Sequence, residues 1–575
     1  MKSKLRYPGL VITAMVITAL VVAACGGGDP TPAPTATSAP TATAPPEATP
    51  TPAPTATPAG PQPVRGGTFN FWMTRNPSNM DLNRQRSSAN WMSVVPQMNW
   101  LVQNYQGRTG PGPDLAESWS VSDDGKKWTF KLVQNAKWHD GEQVNADDII
   151  WTFTRITKNP DEQGVEGAGP VKVPPYLGAL ALITSMEKPD DFTVVINLSK
   201  VSAAFLPIIG AIGNVIYPEH VAITEFEAKR PVGSGPFVWK SWKVDDSVEL
   251  TANPDYFKKD ASGRQLPYID AIKIFVISDA GLGLSAFRTG KINMTFPFAT
   301  VITVSMEETL RTELPGTQFY SGGLSWAYLE FAAGKAPWDN VDVRRAFSLA
   351  IDRVAFSEAA TEGRGSPFVF FTPVGSNWGL PEGEMQSLPG YNPDTKAADI
   401  AEAKRLIAQA GLTADDLNIS VPVRDIYETL AVVAIQNLNE NLGAKLKINL
   451  MDNASTIQVQ NDAAFDIYIS RNSGGLDDPS ALLTPFVGTG ASLNYGNWSD
   501  PEVDAALDAI DAELDVAKRL QLTNELERKL IDLAWYVILS STPTAIAWSS
   551  SVKNFDMLHG QDGPPWRFED IWFEG

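Results

Sequence analysis

The sequence predicts an α/β fold, with strands and helices mixed along a large globular body. Three observations carry this prediction. Short runs rich in β-branched and aromatic residues alternate with amphipathic stretches of helical period. No repeat with a period of about 20 to 50 residues is present, which argues against solenoids and propellers. The composition, 43% hydrophobic and 19% charged in 575 residues, is that of an ordinary soluble protein, and the roughly 510 residues after position 63 suffice for two or three domains.

The N-terminal segment has the composition of an export signal. Three basic residues precede an apolar run over residues 10–22, so residues 1–24 are predicted to be a signal peptide. Cys25 is the only cysteine of the chain, and the four residues from Val22 to Cys25 resemble a bacterial lipobox, whose cysteine is acylated. We expect Cys25 to tether the protein to the outer face of the cell membrane. An ordinary signal peptide or an uncleaved membrane helix is the alternative, although the run is shorter than the about 20 residues of a bilayer span.

The segment that follows, residues 25–63, consists almost entirely of Pro, Thr, Ala and Ser. Such a composition cannot bury a core and forms an extended, semi-rigid spacer. In polyproline geometry, at about 3 Å per residue, the spacer could hold the body roughly 100 Å from the lipid. The sequence therefore predicts a body held on a lipid-anchored linker.

The composition also excludes several classes of protein. A formal net charge of −20 and a pI near 4.7 argue against nucleic acid as a partner, because phosphate binding needs clustered Lys and Arg. With Cys25 used for lipid, no thiol remains for a disulfide, so a large core must supply the stability. The 17 Trp residues suit either that core or the walls of a ligand cleft.

The predicted strands are short. A glycine turn at residues 66–67 leads into a first strand at residues 68–71. Residues 127–132 alternate polar and apolar, which places Trp128, Phe130 and Leu132 on a buried face. Content of β-branched and aromatic residues predicts further strands at residues 192–198, 248–252, 272–277, 446–450 and 465–470.

Two helices are predicted together with their ends. Asn145 caps a helix that contains the apolar run 149–153. Residues 397–410 carry an apolar stripe and stop at Gly411, which suits the left-handed position after a helix.

Acidic residues are predicted to start two further helices. Ser499 resembles the first residue of a capping box with Glu502, and Asp500 is an equal candidate for the cap. A long helical stretch over residues 503–533, broken once, follows. The pair Asp477-Asp478 could bind Ca²⁺, but adjacent acids before a proline more often cap a helix or end a loop.

The chain lacks the motifs that mark most catalytic sites. Its three histidines, His139, His220 and His559, are far apart, and paired cysteines, a phosphate-binding loop, His-Glu-x-x-His and Gly-x-Ser-x-Gly are absent. We therefore predict no cofactor, no metal and no enzymatic activity. An exported glycosidase or peptidase is the alternative, because a glycosidase needs only two carboxylates about 5 to 10 Å apart.

A series of ordered motifs spans nearly the whole body. The motifs are GGT at 66–68, PDLAESW at 113–119, DDGKKWTF at 123–130, WHDG at 138–141, NADDI at 145–149, PVGSGPF at 231–237, NPDYF at 253–257, LPYID at 266–270, NVDVRRAF at 340–347 and YNPD at 391–394. In this order they resemble the extracytoplasmic solute-binding proteins of family 5, which include the oligopeptide-, dipeptide- and nickel-binding components of ABC importers.

The resemblance implies a type II, cluster C periplasmic-binding-protein fold, with two α/β lobes, a hinged ligand cleft and an extra subdomain. It implies that lobe I covers residues 64–320 and 549–575, with the subdomain at 100–225, and that lobe II covers residues 321–548. The implied function is that of an extracytoplasmic, monomeric receptor. It captures an oligopeptide or similar small solute and delivers it to the membrane subunits of an ABC permease. A surface adhesin or chemosensory partner is a further alternative.

The resemblance also implies where the ligand is bound. The expected contacts are Arg75, Trp326, Tyr328, Trp378, Asn472, Gly475, Leu476 and Asp477. Trp326 and Tyr328 alternate on a predicted strand, so only one face of that strand can look into the cleft.

One departure from the family pattern concerns the ligand's charge. In peptide-binding members, an aspartate three residues before an Asp-Pro or Glu-Pro pair receives the peptide's α-ammonium group. Counting back from Asp478-Pro479 gives Gly475, which lacks the carboxylate that a buried ammonium needs. Asp477 is the candidate substitute; otherwise the ligand has no free amine, as in an oligosaccharide stacked on Trp side chains.

Overall fold

The computed structural model describes residues 62–77, 80–83, 88–104, 110–157, 177–222, 231–296, 302–372, 376–474, 476–555 and 567–574. Residues 62–575 form one compact unit. The predicted signal peptide, the acylated Cys25 and nearly all of the predicted linker lie outside the described residues, as does Gly475.

Every strand predicted from the sequence is present in the structure, and the predicted and observed ends differ by up to three residues. The described strands are β1 (Thr68–Met73), β2 (Val102–Gln103), β3 (Gly112–Pro113), β4 (Ala116–Val121), β5 (Lys127–Leu132), β6 (Ile183–Asp190), β7 (Thr193–Leu198), β8 (Phe237–Lys243), β9 (Ser247–Ala252), β10 (Ala271–Val276), β11 (Gln318–Gly322), β12 (Ser325–Phe331), β13 (Ser420–Arg424), β14 (Lys447–Met451), β15 (Ile467–Ser473), β16 (Tyr536–Ser541), β17 (Thr544–Trp548), β18 (Val552–Lys553) and β19 (Trp572–Phe573).

Helices are most frequent in the C-terminal half. The described helices are α1 (Ser88–Val94), α2 (Ala146–Thr157), α3 (Leu177–Leu180), α4 (Phe205–Ile209), α5 (Ala280–Arg288), α6 (Val304–Glu313), α7 (Val341–Ala350), α8 (Arg353–Thr361), α9 (Glu382–Met385), α10 (Lys396–Gln409), α11 (Glu428–Leu442), α12 (Asn453–Asn461), α13 (Pro479–Val487), α14 (Pro501–Ala512) and α15 (Val516–Leu533), with 3₁₀ turns at Val95–Gln97, Ile212–Asn214, Pro393–Thr395 and Asp425–Tyr427.

The caps follow local chemistry. Asn145 caps α2 as predicted, since its Oδ1 accepts a hydrogen bond from the backbone N–H of Asp147 at 2.7 Å. Of the two candidates at the start of α14, Asp500 is the cap and accepts from the N–H of Glu502 at 2.8 Å. Asp500 has the extended backbone of a capping residue and directly precedes the helical proline, which excludes Ser499 from this position. The single break predicted in the long helical stretch lies between α14 and α15.

A four-stranded sheet of order β1-β10-β9-β8 carries a hydrophobic cluster that we call the first core. β1 and β10 are parallel, with Phe69 opposite Ile272 and Phe71 opposite Ile274. All four side chains are fully buried, as expected for alternate residues on one face of a strand. Residues 545–548 of β17 pack into the same core.

A separate antiparallel sheet of order β4-β5-β7-β6, called here the small sheet, has a core of its own. Trp128, Phe130 and Leu132 of β5 are buried in it, which confirms the predicted alternation. Phe205 of α4 packs on Trp128, with ring centroids 5.6 Å apart. Leu476 also belongs to this cluster, so the small-sheet core includes a residue from the C-terminal half of the chain.

The second core surrounds the antiparallel sheet β15-β12-β16. The parallel pair β13-β14 lies beside β15, and most of the helices from α7 to α15 contribute side chains. β12 is the central strand, and all seven of its residues are buried. A strand covered on both faces is apolar along its length, so the polar Glu330 within β12 is unusual.

The chain passes twice between the first and second cores. It leaves through β11 into β12 and returns from β16 into β17. β11 and β17 pair antiparallel, from Gln318 opposite Trp548 to Gly322 opposite Thr544. Gly323, between β11 and β12, has a φ of 112°, which glycine adopts without strain. Two adjacent strands thus connect the cores, an arrangement suited to a hinge.

Candidate ligand-binding site

The proposed ligand loop, residues 472–477, begins at the end of β15, next to the connection between the cores, and we call it the β15 loop. Arg471 Nε donates to Thr542 Oγ1 at 2.8 Å, and Arg471 Nη2 donates to Ser325 Oγ at 2.9 Å. Ser325 Oγ in turn donates to the carbonyl oxygen of Thr542 at 2.6 Å. Arg471 therefore ties the start of the loop to both crossing segments.

The loop ends on a buried ion pair. Asp478 caps α13 and accepts from the N–H of Ser480 at 2.9 Å, which confirms the helix-capping interpretation of this residue. Its two carboxylate oxygens accept from Arg519 at 2.6 and 2.9 Å. The side chains of Asp478 and Arg519 are 1% and 5% exposed. A bidentate pair buried to this extent fixes the orientation of both groups.

Asp477 holds a second loop, residues 376–378, against the first. Its carboxylate accepts from Ser376 Oγ at 2.6 Å and from the backbone N and Nδ2 of Asn377 at 3.2 and 3.1 Å. Its carbonyl oxygen accepts from the indole N–H of Trp378 at 3.0 Å. These donors are neutral, and burial raises the pKa of the Asp477 carboxyl. Asp477 therefore positions Trp378, and its carboxylate is already engaged by three hydrogen bonds.

Trp378 lies over the ion pair of Asp478 and Arg519, and Glu527 binds the chain on both sides of the Trp378 loop. The Arg519 guanidinium is 5.1 Å from its ring centroid, which is the geometry of a cation–π contact. Glu527 Oε1 accepts from Thr372 N at 3.2 Å and from Thr372 Oγ1 at 2.7 Å, and Oε2 accepts from Leu380 N at 3.2 Å. One carboxylate thus ties both flanks of the Trp378 loop. Burial raises the pKa of Glu527 to about 7.

Trp326 and Tyr328 lie inside the second core. Trp326 is fully buried, and its ring centroid is 5.6 Å from that of Phe371 and 5.5 Å from that of Phe486. Tyr328 is 1% exposed and packs on Tyr536 at 5.6 Å. The expectation that one of these side chains faces an open cleft does not hold in this conformation, because β12 is the central strand and both of its faces are covered.

The remaining expected contacts are spread over three elements. Arg75 is exposed just after β1. Asn472 lies in β15, and its Oδ1 accepts from the N–H of Ser473 at 2.8 Å. Leu476 is 7% exposed and packs into the small-sheet core. Among the described residues, the structure thus brings the β15 loop and the Trp378 loop together and places Arg75 just after β1, a strand of a different sheet.

Three charged residues of this site were missed by the sequence reasoning: Arg471, Arg519 and Glu527. Arg519 and Glu527 are 4% and 0% exposed and lie eight residues apart on the buried face of α15. The available signal was their place in the apolar stripe of an amphipathic helix, where a charged residue needs a partner.

His139 has a structural role. The N–H of Gly233 donates to its Nδ1 at 3.2 Å, and its Nε2 lies 3.0 Å from the carbonyl oxygen of Gly235. Burial lowers the pKa of the imidazole to about 4, so the ring is neutral. Within the described ranges, no cluster of three or more His, Asp or Glu side chains could hold a metal ion. No helix of the described part of the chain combines the length and apolarity of a membrane span.

Comparison with known proteins shows which family has this architecture. The family model of bacterial extracellular solute-binding proteins, family 5 (Middle), matches residues 110–494. Heme-binding protein A of Haemophilus influenzae is 29% identical over 481 residues, covering 77% of this chain and 80% of that protein. Probable di/tripeptide-binding protein 5 of Pseudomonas aeruginosa is 26% identical over 513 residues, covering 84% of this chain and 92% of that protein.

A solved structure shows the same fold. The ABC transporter-associated periplasmic binding protein DppA from Helicobacter pylori, in complex with the peptide STSA, matches with a TM-score of 0.72 at 22% identity. The match covers 89% of this chain and 99% of that chain, which confirms the two-lobe α/β fold. The chain belongs to the bacterial extracellular solute-binding proteins of family 5.

Proposed function

We propose that this protein captures an oligopeptide or similar small solute between its two lobes and delivers it to the permease of an ABC importer. The family match over residues 110–494 carries the proposal. The relatives support the ligand class, since they include a probable di/tripeptide-binding protein and a DppA solved with a bound peptide. The family binds substrates, and the proposed role of this chain is likewise binding without catalysis.

The proposed lobes follow the packing. The first core and the small sheet form one lobe, and the second core forms the other. The position of β11 beside β17 supports the outward boundary near Tyr320. Because residues 545–548 pack into the first core, the return crossing is proposed at residues 542–544, a few residues before the expected boundary at Trp548.

The proposed contact surface is the β15 loop together with the Trp378 loop, with Asn472, Gly475, Leu476 and Asp477 on the former and Arg75 contributed by the other lobe. Trp326 and Tyr328 support this surface from the core beneath it. The carboxylate of Asp477 is engaged by Ser376 and Asn377, so it is not available as an anchor for an ammonium group without breaking those bonds.

A matched pair of peptides tests the ligand class. Dialysed protein is titrated calorimetrically with tri-alanine and with N-acetyl-tri-alanine. Since Gly475 offers no carboxylate and Asp477 is engaged, we expect the two affinities to agree within about threefold, where a lost charge-assisted hydrogen bond would cost tenfold or more. A clear preference for the free amine would contradict this expectation and reinstate an ammonium anchor.

The same observation favours an oligosaccharide as the second candidate ligand. If neither peptide binds and maltotriose does, the peptide proposal fails and the sugar alternative stands. Recovering each ligand unchanged after incubation supports a receptor, whereas turnover would support the hydrolase alternative.

The cellular location of the protein is also a proposal. The basic and apolar N-terminus, the VAAC sequence ending at Cys25 and the linker over residues 25–63 support a lipid anchor outside the cytoplasm. The proposed receptor is a monomer. A single acyl chain gives only marginal membrane binding, so stable anchoring at Cys25 would need more than one chain.

A further inference from the structure

The small sheet and the second core touch at a place away from the crossing strands. Ser202 lies between β7 and α4, and its Oγ donates to Asp511 Oδ1 of α14 at 2.8 Å. The backbone N–H of Ala203 donates to the carbonyl oxygen of Asp511 at 2.6 Å. Two hydrogen bonds therefore join one residue of α14 to two consecutive residues more than 300 positions earlier in the chain.

Burial distinguishes this contact from an incidental surface pair. Ser202 is fully buried, Asp511 is half-buried, and burial raises the pKa of the Asp511 carboxyl. The neighbouring pair, Lys200 Nζ with Asp508 Oδ1 at 2.7 Å, has side chains 52% and 72% exposed. An exposed pair of this kind contributes little, whereas a hydrogen bond from a buried hydroxyl to a carboxylate contributes substantially.

Apolar contacts extend the same interface. Leu476 of the β15 loop packs into the small-sheet core, and Ala481 of α13 lies against it. Leu514, just after α14, lies beside the turn at Gly125, where an added Cβ would be 3.6 Å from Leu514 Cδ1. The interface therefore includes part of the proposed ligand loop.

The contact is also joined to the ion pair at the end of that loop. Arg519 Nε donates to the carbonyl oxygen of Ile510, the residue before Asp511, at 3.0 Å, while the rest of its guanidinium holds Asp478. A displacement of α14 relative to the small sheet would thus be transmitted through Arg519 to Asp478 at the start of α13.

Because β11 and β17 carry the only described covalent crossings, a rotation about them that opens the lobes must separate this second contact. We propose that Ser202, Ala203 and Asp511 form a clasp that stabilises the closed arrangement and thereby sets the affinity for every ligand. The inference rests on the proposed closure of two lobes. Ligand affinity scales with the population of the binding-competent state, so a weaker clasp lowers all affinities by one common factor.

The test compares Ser202→Ala and Asp511→Ala with a matched control, Lys200→Gln, which breaks only the exposed pair. Each is made in the Cys25→Ser protein, with dyes on cysteines placed at two exposed positions, Lys137 in the segment between β5 and α2, next to the small sheet, and Lys404 on α10. Energy transfer between the dyes reports the distance between the lobes without any ligand. We expect both alanine variants to shift the distribution toward longer distances and the control to match the parent.

Affinity supplies the second readout. Titration with tri-alanine and N-acetyl-tri-alanine should show a three- to tenfold loss in both alanine variants, by about the same factor for both peptides. Unchanged dye distributions in both variants would overturn the clasp, and so would a loss restricted to one peptide, which would indicate a direct ligand contact.

Urea unfolding of Ser202→Ala shows whether this variant is folded. If Asp511→Ala does not fold, the test rests on Ser202→Ala alone. If neither peptide binds, the proposed ligand class fails, while the dye distributions still decide the clasp.

Discussion

At the scale of single residues, a buried carboxyl group in the second core makes the stability of the fold depend on pH. Glu330 is fully buried in β12, and its Oε1 accepts from Tyr536 Oη at 2.8 Å and from the N–H of Gly496 at 2.6 Å. Burial raises its pKa to about 8. Glu330 is therefore protonated in the folded state at neutral pH and ionised in the unfolded chain.

This shift makes Glu330 a source of stability that is lost as the pH rises. The folded pKa lies above the unfolded value, so the contribution is fully present below about pH 4.5, decreases steadily as the pH rises from there, and is lost once the pH has passed about 8. In Glu330→Gln the site is neutral at every pH. We expect the difference in unfolding free energy, native minus variant, to fall by about 3 kcal/mol between pH 5 and pH 8.

Urea unfolding at the two pH values measures this difference. Glu358→Gln, an exposed position on α8, is the control and should show no such trend. A pH-independent difference for Glu330→Gln would mean that the carboxyl is ionised in the folded protein.

At the scale of elements, the starts of α13 and α15 are coupled through one ion pair. Asp478 caps α13 and also pairs with Arg519 of α15, whose guanidinium lies under Trp378. A single arginine therefore contacts the start of α13, the carbonyl oxygen of Ile510 in α14 and the aromatic ring of the neighbouring loop.

Removing one member of this pair should be costly, and removing both charges much less so. Arg519→Met leaves the Asp478 carboxylate buried without a cation, and we expect a loss of about 3 to 5 kcal/mol in unfolding free energy. Adding Asp478→Asn removes the stranded charge and keeps an oxygen to accept from the N–H of Ser480, so the double variant should recover much of the loss.

Thermal and urea unfolding of the two single variants and the double variant measure the coupling. A loss below 1 kcal/mol in Arg519→Met, or a double variant as unstable as the sum of the singles, would show that the pair is not coupled in this way.

At the scale of the whole molecule, the sequence predicts an anchoring segment that is separate from the binding body. Cys25 is the only cysteine, and the described body contains buried carboxyl and guanidinium groups that serve structure. Anchoring and binding are therefore expected to be separable functions.

Cys25→Ser tests this separation. Expressed in a bacterial host, the variant should move from the membrane fraction to the soluble fraction, because the acyl attachment is lost, and should retain the parent's affinity for tri-alanine. Detergent phase partitioning measures the first effect and calorimetry the second. A variant that stays in the membrane fraction would show that residues 10–22 remain as a membrane helix. A variant that is soluble but binds less tightly would show that the tether contributes to binding.

Much of the fold could be predicted from local patterns. The alternation in residues 127–132 identified the buried face of β5, and the acids before Pro479 and Pro501 identified helix starts. The site was predicted less well. The resemblance implied that Trp326 and Tyr328 are ligand contacts, and their alternation on a strand limited the cleft to one of its faces, but neither argument says whether other layers cover both faces.

Composition, short periodicities and ordered motifs were enough to predict the order of strands and helices and the family, and the same kind of signal predicts the export segment and the linker. Which distant residues meet is visible in the tertiary structure alone. It joined Leu476 to the small-sheet core, Arg519 to Asp478, and Asp511 to Ser202 across 309 positions. Local pattern reports backbone preference and burial, whereas the identity of a partner depends on chain topology over hundreds of residues, and in this protein the proposed ligand loop and the clasp are built from such partners.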